Sequence, residues 1–338
     1  MNRKIYDGFN FLSKQTPARL FNMARVLSSF QISKSFGKTY HRGMPISISI
    51  EPTTSCNLRC PECPSGLRSF TRPTGMMKME LFESVIDQLA PTLSYLIFYF
   101  QGEPYLHPYL LEMVRIASQK KIYTATSTNA HYLTDEVAKE TIRSGLDRLI
   151  ISLDGTTQET YQSYRVGGKL DKVIEGTKNI LRWKKELKSK TPHVIFQFLV
   201  VKHNEHQIED VKKLAEELGA DEVKLKTAQI YDFKNGSPLI PVSDKYSRYK
   251  KNPDGKYSIK SGLLDECWKM WHSCVFTWDG KVLPCCFDKD AHFVQGDLNK
   301  TSFKEIWEGE KYQSFRNSLF NSRSEIEMCR NCTEGADP

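Results

Sequence analysis

Short apolar segments alternate with segments of helical periodicity between about residues 45 and 230. The apolar segments are rich in β-branched and aromatic residues, which is typical of parallel strands that are buried on both faces. The predicted strands are 47–50, 95–100, 123–128, 149–153, 194–201 and 222–226. Six units of a strand followed by a helix predict an α/β fold with a parallel sheet. We expect the functional residues on the loops at the carboxyl ends of these strands.

The helical segments carry apolar residues three and four positions apart, so that one face of each helix packs on the sheet. Thr134, followed by two acidic residues, is a typical N-cap, and Gly219 is a typical C-cap. Residues 231–262 then interrupt the alternation with prolines and glycines in a lysine- and tyrosine-rich stretch, which predicts a linker or lid. The candidates for substrate recognition in this stretch, on their position alone, are Tyr246, Tyr249 and Tyr257.

A different pattern follows the lid. Asp279 and Gly280 predict the turn of a β-hairpin between 275–278 and 281–283, and a helix is predicted over about 302–319. We therefore divide the chain into four parts. They are an N-terminal helical arm (1–44), an α/β domain (45–230), the linker or lid (231–262) and a small C-terminal domain (263–338).

The composition describes a folded protein with an unusual N-terminal arm. Hydrophobic residues make up 39% of the 338 residues and charged residues 26%, which excludes a largely disordered chain. No apolar run approaches the roughly 18 residues of a membrane-spanning helix, and no secretory signal is recognisable. We therefore expect a soluble, cytoplasmic protein.

The net charge of +8 comes mostly from the arm, because residues 1–45 contain eight basic residues and a single acid, Asp7. The rest of the chain is nearly neutral, so we expect no nucleic-acid partner. The arm also has a modest apolar face that includes Leu20, Met23, Ala24 and Leu27. It fits a helix that contacts a membrane surface or an acidic partner, a transit peptide, or a helix packed on the α/β domain with a solvated basic face.

Nine cysteines fall into two groups, at spacings typical of metal-ligating thiolates in a reducing compartment. The first group is Cys56, Cys60 and Cys63, on one loop after the first predicted strand. A zinc ion needs a fourth ligand, and none is nearby in the sequence, whereas an iron–sulfur cube held by three thiolates leaves one iron open. A zinc knuckle completed by a remote residue is the alternative.

This C-x3-C-x2-C loop resembles the signature of the radical S-adenosylmethionine (SAM) enzymes, although Glu62 stands where the family often has an aromatic residue. The resemblance implies a partial (β/α)6 TIM-like barrel and a [4Fe–4S] cluster whose open iron binds SAM. It also implies a low-potential electron donor of the flavodoxin or ferredoxin type. Reduction then cleaves SAM to a 5′-deoxyadenosyl radical, which abstracts a substrate hydrogen.

The same resemblance implies the residues that contact SAM. Gln101-Gly102-Glu103, after the second strand, resembles the family's Gly-Gly-Glu motif, whose carboxylate binds the SAM amino group. Arg165 resembles the arginine that binds the SAM carboxylate, and Val200 and neighbouring strand ends are the candidates to pack against the adenine. The full set of implied contacts is Gly102, Glu103, Ser127, Asn129, Ser152, Asp154, Arg165 and Val200.

The second group of cysteines resembles the auxiliary-cluster extension called SPASM, or its shorter form, twitch. The implied ligands of one auxiliary [4Fe–4S] cluster are Cys267, Cys285, Cys329 and Cys332. Two cysteines then remain, Cys274 and Cys286, which are too few for a second auxiliary cluster. The choice between the adjacent Cys285 and Cys286 stays open, although the spacing from Gly280 favours Cys285. A zinc site with four cysteine ligands is the alternative.

These features predict a radical SAM oxidoreductase or maturase that acts on a peptide or on a small, sugar-like molecule. The auxiliary cluster would accept an electron from the substrate radical or bind the substrate. No catalytic base is assigned. An iron–sulfur electron carrier without a SAM site, or a zinc-stabilised binding module, is the alternative function.

Overall fold

The structure, a computed structural model, describes residues 3–260 and 262–333. Its strands are β1 (Ser47–Ile50), β2 (Tyr95–Ile97), β3 (Tyr123–Thr128), β4 (Arg148–Ser152), β5 (His193–Val200), β6 (Glu222–Thr227), β7 (Tyr249–Lys251), β8 (Tyr257–Ile259), β9 (Ser273–Phe276), β10 (Lys281–Leu283) and β11 (Gly296–Asp297). Its α-helices are α1 (Arg3–Ser13), α2 (Pro17–Phe36), α3 (Pro64–Leu67), α4 (Met79–Leu89), α5 (Leu110–Gln119), α6 (Asp135–Arg143), α7 (Gln158–Tyr164), α8 (Leu170–Glu186), α9 (Ile208–Leu218), α10 (Lys269–His272), α11 (Phe303–Glu308) and α12 (Glu310–Ser322).

Strands β1 to β6 lie side by side in chain order, and every neighbouring pair is parallel. The predicted α/β class with a parallel sheet is therefore confirmed. Strand β2 is shorter than predicted, because the chain leaves the sheet after Ile97 and turns into the loop that carries Glu103. Since parallel strands share a direction, the loops after their carboxyl ends meet at one edge of the sheet.

The main core lies between this sheet and its helices. The strands contribute fully buried residues such as Ile48, Leu96 and Phe196, and the helices contribute Phe82 and Val114. Burial of each large apolar side chain stabilises the fold by about 1.5–3 kcal/mol. The sheet is thus a rigid support for the loops at its carboxyl edge.

The C-terminal region continues the same sheet. Strand β9 pairs in parallel with β1, with Ser47 opposite Ser273 and Ile50 opposite Phe276, and β10 and β11 follow as antiparallel strands. The predicted hairpin is therefore confirmed. The helix predicted over 302–319 is divided at Gly309 into α11 and α12. The pairing of β9 with β1 brings the second group of cysteines next to the strand that precedes the first.

The N-terminal helices pack on the opposite end of the sheet, at the amino ends of the strands. The Asp7 carboxylate accepts hydrogen bonds from Tyr123 and from Arg148. The buried Arg19 guanidinium donates to the carbonyl groups of Ala90 and Lys120, at 2.9 Å each. The arm is thus attached to the α/β domain by buried polar contacts.

Residues 231–262 hold a short β7–β8 hairpin. Tyr249 is buried there, and its hydroxyl donates to Asn331 Oδ1 at 2.9 Å and accepts from the Ile230 amide at 2.8 Å. The hydroxyl thus joins two segments of the chain, and a role of Tyr249 in substrate recognition stays a prediction. No helix in the described parts of the chain is long and apolar enough to cross a membrane.

Candidate functional site

The loop after β1 brings three thiols to one cavity at the carboxyl edge of the sheet. Cys56, Cys60 and Cys63 all line this cavity, which has a volume of about 140 Å³. Burial raises the pKa of Cys56 to about 11 and also raises the pKa of Cys60. The Cys56 and Cys60 thiols are therefore protonated at neutral pH in the free protein, and binding of a metal centre would release their protons.

A glycine turn after β2 fits closely against this loop. Gly102 has a φ of +76°, and a Cβ atom placed there would lie 2.2 Å from the carbonyl oxygen of Thr53. Its amide donates to Ser65 Oγ at 2.8 Å, and the Glu103 amide donates to the Ser55 carbonyl at 2.7 Å. The two motifs that the sequence separates by some forty residues are thus held together by their backbones.

We expect Gly102→Ala to cost about 1–3 kcal/mol more of unfolding free energy than Gly255→Ala. Both glycines have a positive φ, but a Cβ at Gly255 would meet nothing within 4 Å. Gly255→Ala therefore measures the backbone strain alone, and the additional loss in Gly102→Ala measures the clash of the Cβ with Thr53. Denaturant unfolding of the two variants measures the difference. Equal losses of unfolding free energy in the two variants would show that stability does not depend on the close approach of Gly102 to Thr53.

Glu103 presents a buried carboxylate to the cavity. Its oxygens accept hydrogen bonds from the Asn129 amide at 2.7 Å, from Thr128 Oγ1 at 2.7 Å and from the Tyr105 amide at 3.2 Å. Burial raises the pKa of Glu103 to about 7, although these hydrogen bonds lower it. Within the described residues no cationic group lies within 4 Å of this carboxylate. An ammonium group in the cavity would supply the missing charge.

Arg165 also lines the cavity. Its Nε donates to Asp154 Oδ2 at 2.5 Å, and its Nη1 lies 3.7 Å from Cys60 Sγ. Asp154 is fully buried, and its other oxygen accepts from the Leu199 amide at 2.7 Å. Asp154 thus holds the guanidinium in place, and the guanidinium can bind an anionic group beside the thiols.

Seven of the eight residues implied for SAM either line this cavity or contact a residue that lines it. Those that line the cavity are Gly102, Glu103, Ser127, Asn129, Ser152 and Arg165. Asp154 does not line it and instead acts behind Arg165.

Val200 is the exception, since it does not line this cavity. Its side chain is fully buried in the main core between the sheet and the helices. The neighbouring Leu199 and Val201 belong to the apolar cluster that contains Cys60, because side chains alternate between the two faces of a strand. Packing of Val200 and neighbouring strand ends against the adenine stays a prediction.

Sequence reasoning missed several residues of the cavity. Tyr99 and Phe100 line it, although the pattern assigned them to a buried strand. Asn57 lies within the cysteine loop, and its Oδ1 accepts a hydrogen bond from Asn129 Nδ2 at 2.7 Å. Its position between Cys56 and the next two cysteines is the only signal that could have identified it.

The second group of cysteines is assembled in the C-terminal region. Burial raises the pKa of Cys329 to about 11, Arg323 lowers it, and the nearby Cys267 and Cys332 raise it. The Arg323 guanidinium is buried and lies 3.8 Å from Cys332 Sγ. Three of the four implied ligands thus surround one cationic side chain, which would offset the charge of their thiolates.

Cys285, the fourth implied ligand, belongs to the same buried cluster as Cys267 and Cys329. A hydrogen bond with the Cys286 thiol raises the pKa of Cys285, and burial raises it further. Cys274 lies apart, in the main core on β9. The geometry therefore keeps Cys285 and Cys286 as the two candidates and leaves Cys274 out of the site.

The donor set of the first group suits a cluster better than a zinc ion. Three cysteines and no histidine line its cavity. A structural zinc ion is usually held by four protein ligands, whereas an iron–sulfur cube held by three thiolates leaves one iron open. The first group therefore fits a cube with one open iron.

A larger cavity of about 500 Å³ lies between the two groups of cysteines, and we call it the inter-site cavity. It is lined by residues of four segments, 64–69, 229–234, 287–293 and 327–331. The first begins directly after Cys63, the third directly after Cys286, and the fourth includes residues on either side of Cys329. A molecule bound there would contact segments that carry both groups.

Comparison with known proteins identifies both regions. The model of the radical SAM superfamily matches residues 50–222, which is half of the chain, and the model of the SPASM iron–sulfur cluster-binding domain matches residues 267–333. The first match contains Cys56, Cys60 and Cys63, and the second contains all six remaining cysteines.

Individual proteins are similar over most of the chain. A tungsten-containing aldehyde ferredoxin oxidoreductase cofactor-modifying protein of Pyrococcus furiosus is 26% identical over 79% of this chain and 82% of its own length. An AdoMet-dependent heme synthase of Methanosarcina barkeri is 25% identical over 78% of this chain and 82% of its own length.

Among solved structures, Streptococcus suis SuiB bound to S-adenosylmethionine superposes with a TM-score of 0.64, at 14% identity, over 90% of this chain and 74% of its own. This likeness supports the fold. The family matches supply the cofactors, since a radical SAM domain uses SAM with a [4Fe–4S] cluster and a SPASM domain binds further iron–sulfur clusters. The chain belongs to the radical SAM superfamily and carries a SPASM domain.

Proposed function

We propose that this enzyme modifies a peptide or a sugar-like substrate, held in the inter-site cavity, by abstraction of a hydrogen atom. The bound cofactors supply the chemistry, in that reductive cleavage of SAM provides a 5′-deoxyadenosyl radical and an auxiliary [4Fe–4S] cluster provides an acceptor for one electron. Cys56, Cys60 and Cys63 would hold the first cluster, and Cys267, Cys329, Cys332 and Cys285 or Cys286 the second. Glu103 and Arg165 would bind the amino and carboxylate groups of SAM.

The observation that carries this proposal is the position of the inter-site cavity. Its walls include Pro64, directly after Cys63, and Met328 and Asn331, which flank Cys329 and Cys332. A volume of about 500 Å³ is typical of a site for a small molecule, or for one or two residues of a peptide. A substrate there would lie between the source of the radical and the electron acceptor.

The inter-site cavity is lined by side chains of both charges, and Lys289 among them favours a substrate with an anionic or carbonyl group. The Asp288 carboxylate already accepts from the His292 and Phe293 amides, at 2.8 and 2.9 Å. Lys289 Nζ lies 4.7 Å from the centre of the Tyr231 ring, and within the described residues no carboxylate lies within 4 Å of it. Burial lowers the pKa of Lys289, whereas Cys63 and Cys286 raise it, so this ammonium lies between the two groups of cysteines.

A peptide is the first candidate for the substrate class, because SuiB, which shares the fold, has also been solved with its precursor peptide SuiA. A small molecule is the second candidate. The two curated relatives, which cover most of this chain, are named for modification of a cofactor and for heme synthesis.

The direct test uses the enzyme reconstituted anaerobically with iron and sulfide. With SAM and dithionite, we expect methionine and 5′-deoxyadenosine in equal amounts, measured by liquid chromatography. If both clusters are intact by absorption and iron content, absence of these products contradicts the proposal. Separate additions of short peptides and of aminosugars then distinguish the substrate classes, since only a substrate increases the yield.

Once a substrate is identified, we expect Lys289→Met to raise the KM for that substrate by about tenfold, because the variant loses one charge-assisted hydrogen bond to it. Lys250→Met is the matched control, because Lys250 is an exposed lysine on β7 that does not line the inter-site cavity. An unchanged KM for Lys289→Met would place the substrate elsewhere.

A further inference from the structure

Helix α1 is oriented with its apolar face toward solvent. Ile5, Phe9 and Leu12 form one stripe at helical spacing, and their side chains are 52, 57 and 60% exposed. The opposite face contacts the sheet through polar groups and one ring, since Asn10 Nδ2 donates to Asp147 Oδ1 at 2.8 Å, Asp7 binds Tyr123, and the Phe11 ring packs 5.5 Å from the Tyr123 ring. A helix that served only to cover the end of the sheet would bury its apolar stripe.

Helix α2 extends this apolar surface. It buries Val26 and Phe30 against the C-terminal region, which leaves a second set of large apolar side chains exposed. The exposed residues of α2 are Leu20, Phe21, Leu27, Ile32 and Phe36. Of the seventeen large apolar side chains that the described residues leave exposed, nine lie between positions 5 and 40. These nine residues, which we call the arm face, are Ile5, Phe9, Leu12, Leu20, Phe21, Leu27, Ile32, Phe36 and Tyr40.

Cations surround the arm face. Arg25, Lys34, Lys38 and Arg42 are exposed, whereas the arm's single acid, Asp7, is buried. Lys34 also contacts Glu266 at 2.9 Å, so part of its charge is offset.

The neighbouring loop continues the same chemistry. Lys190 lies 5.2 Å from the centre of the Tyr6 ring on α1, and Leu187 and Lys188 are exposed beside it in the chain. Large apolar side chains bordered by lysine and arginine are typical of helices that lie in the interface of an anionic membrane.

The arm face also lies at the end of the molecule that can contact a membrane without covering the cysteine cavity. Its helices contact Tyr95, Tyr123 and Arg148, which begin β2, β3 and β4, while the cysteine cavity lies where these strands end. A flat surface against the arm face would therefore leave the cavity accessible.

We propose that α1 and α2 bind this enzyme to the surface of an anionic lipid bilayer, with the apolar side chains at the boundary of headgroups and acyl chains. Charge distinguishes this occupant from a second copy of the chain, because two arms that each carry eight basic residues and one acid would repel each other. The helices lie on the bilayer, as none of the described helices is long and apolar enough to cross it.

The test is flotation of the full chain with vesicles of phosphatidylcholine, with and without phosphatidylserine. We expect binding to the anionic vesicles and little to the neutral ones. The double variant Phe9→Ser/Phe21→Ser should weaken binding by at least about tenfold, since each phenylalanine loses its apolar contact with lipid. Val242→Ser is the matched control, because Val242 is 76% exposed and lies outside the arm face, and it should bind as the unmodified chain does.

Three results would overturn the proposal. The first is no binding to either type of vesicle, including the case in which the arm face instead captures an acidic protein. The second is binding that the double variant leaves unchanged, which would indicate charge alone. The third is a dimer, seen by light scattering, that the double variant dissociates. Thermal melting of each variant confirms that it is folded.

Discussion

Replacement of Cys56, Cys60 and Cys63 by alanine is expected to remove about four of about eight iron atoms per chain and to abolish formation of 5′-deoxyadenosine. The physical reason is that these three thiols share one cavity with Glu103 and Arg165, and no other cysteine lines it. Loss of the three thiolates removes every protein ligand that could hold a cube there. Iron and sulfide analysis, with an assay of SAM cleavage, measures the effect.

The second group provides the complementary variant. Cys329→Ala/Cys332→Ala is expected to lose the other iron atoms, about four, and to retain SAM binding, because Cys267, Cys329 and Cys332 surround Arg323 rather than the cavity. Cys274→Ala is the control, since Cys274 lies in the main core and should cost stability without loss of iron. Loss of all iron in either cysteine variant would contradict two independent sites.

The parallel sheet could be predicted because some of its strands, such as β3 and β5, are mostly buried on both faces. The segment 194–201 is apolar at almost every position, which is typical of such a strand. The orientation of the arm could not be predicted in the same way. Its amphipathic pattern leaves open whether the apolar face packs on the sheet or faces outward, and in α1 the hydrogen bonds of Asp7 with Tyr123 and Arg148 place the polar face on the sheet.

The loop of the site could be predicted from spacing, because three cysteines within eight positions must share a loop. Glu103 could be predicted only through the resemblance of Gln101-Gly102-Glu103 to the family's motif. Contacts between segments that are distant in the sequence could not be predicted, as the hydrogen bond between Tyr249 and Asn331 shows.

Glu103→Gln is expected to weaken SAM binding by about tenfold to a hundredfold, because it replaces a charge-assisted hydrogen bond to the amino group with a neutral one. The glutamine is nearly isosteric, but Thr128 and Asn129 donate to different oxygens of the carboxylate, so only one of these two hydrogen bonds can persist in the variant. Isothermal titration calorimetry with reconstituted enzyme measures the dissociation constant. Glu83→Gln, at an exposed glutamate on α4, is the matched control.

The pH dependence of SAM binding separates the charge of Glu103 from its shape. Burial raises the pKa of this carboxyl to about 7 in the free enzyme, so it is partly protonated at neutral pH and fully ionised only above that value. The ammonium group of SAM binds the ionised form, so affinity should fall as pH decreases below about 7, by up to about tenfold per pH unit. Binding near neutral pH should also release a proton into the buffer. In Glu103→Gln this pH dependence should disappear, and an equal dependence in both proteins would assign it to another group. Burial makes the Glu103 carboxyl costly to ionise in the free enzyme, and a cation that enters the cavity offsets this cost. The buried carboxylate therefore selects for a ligand that carries a positive charge.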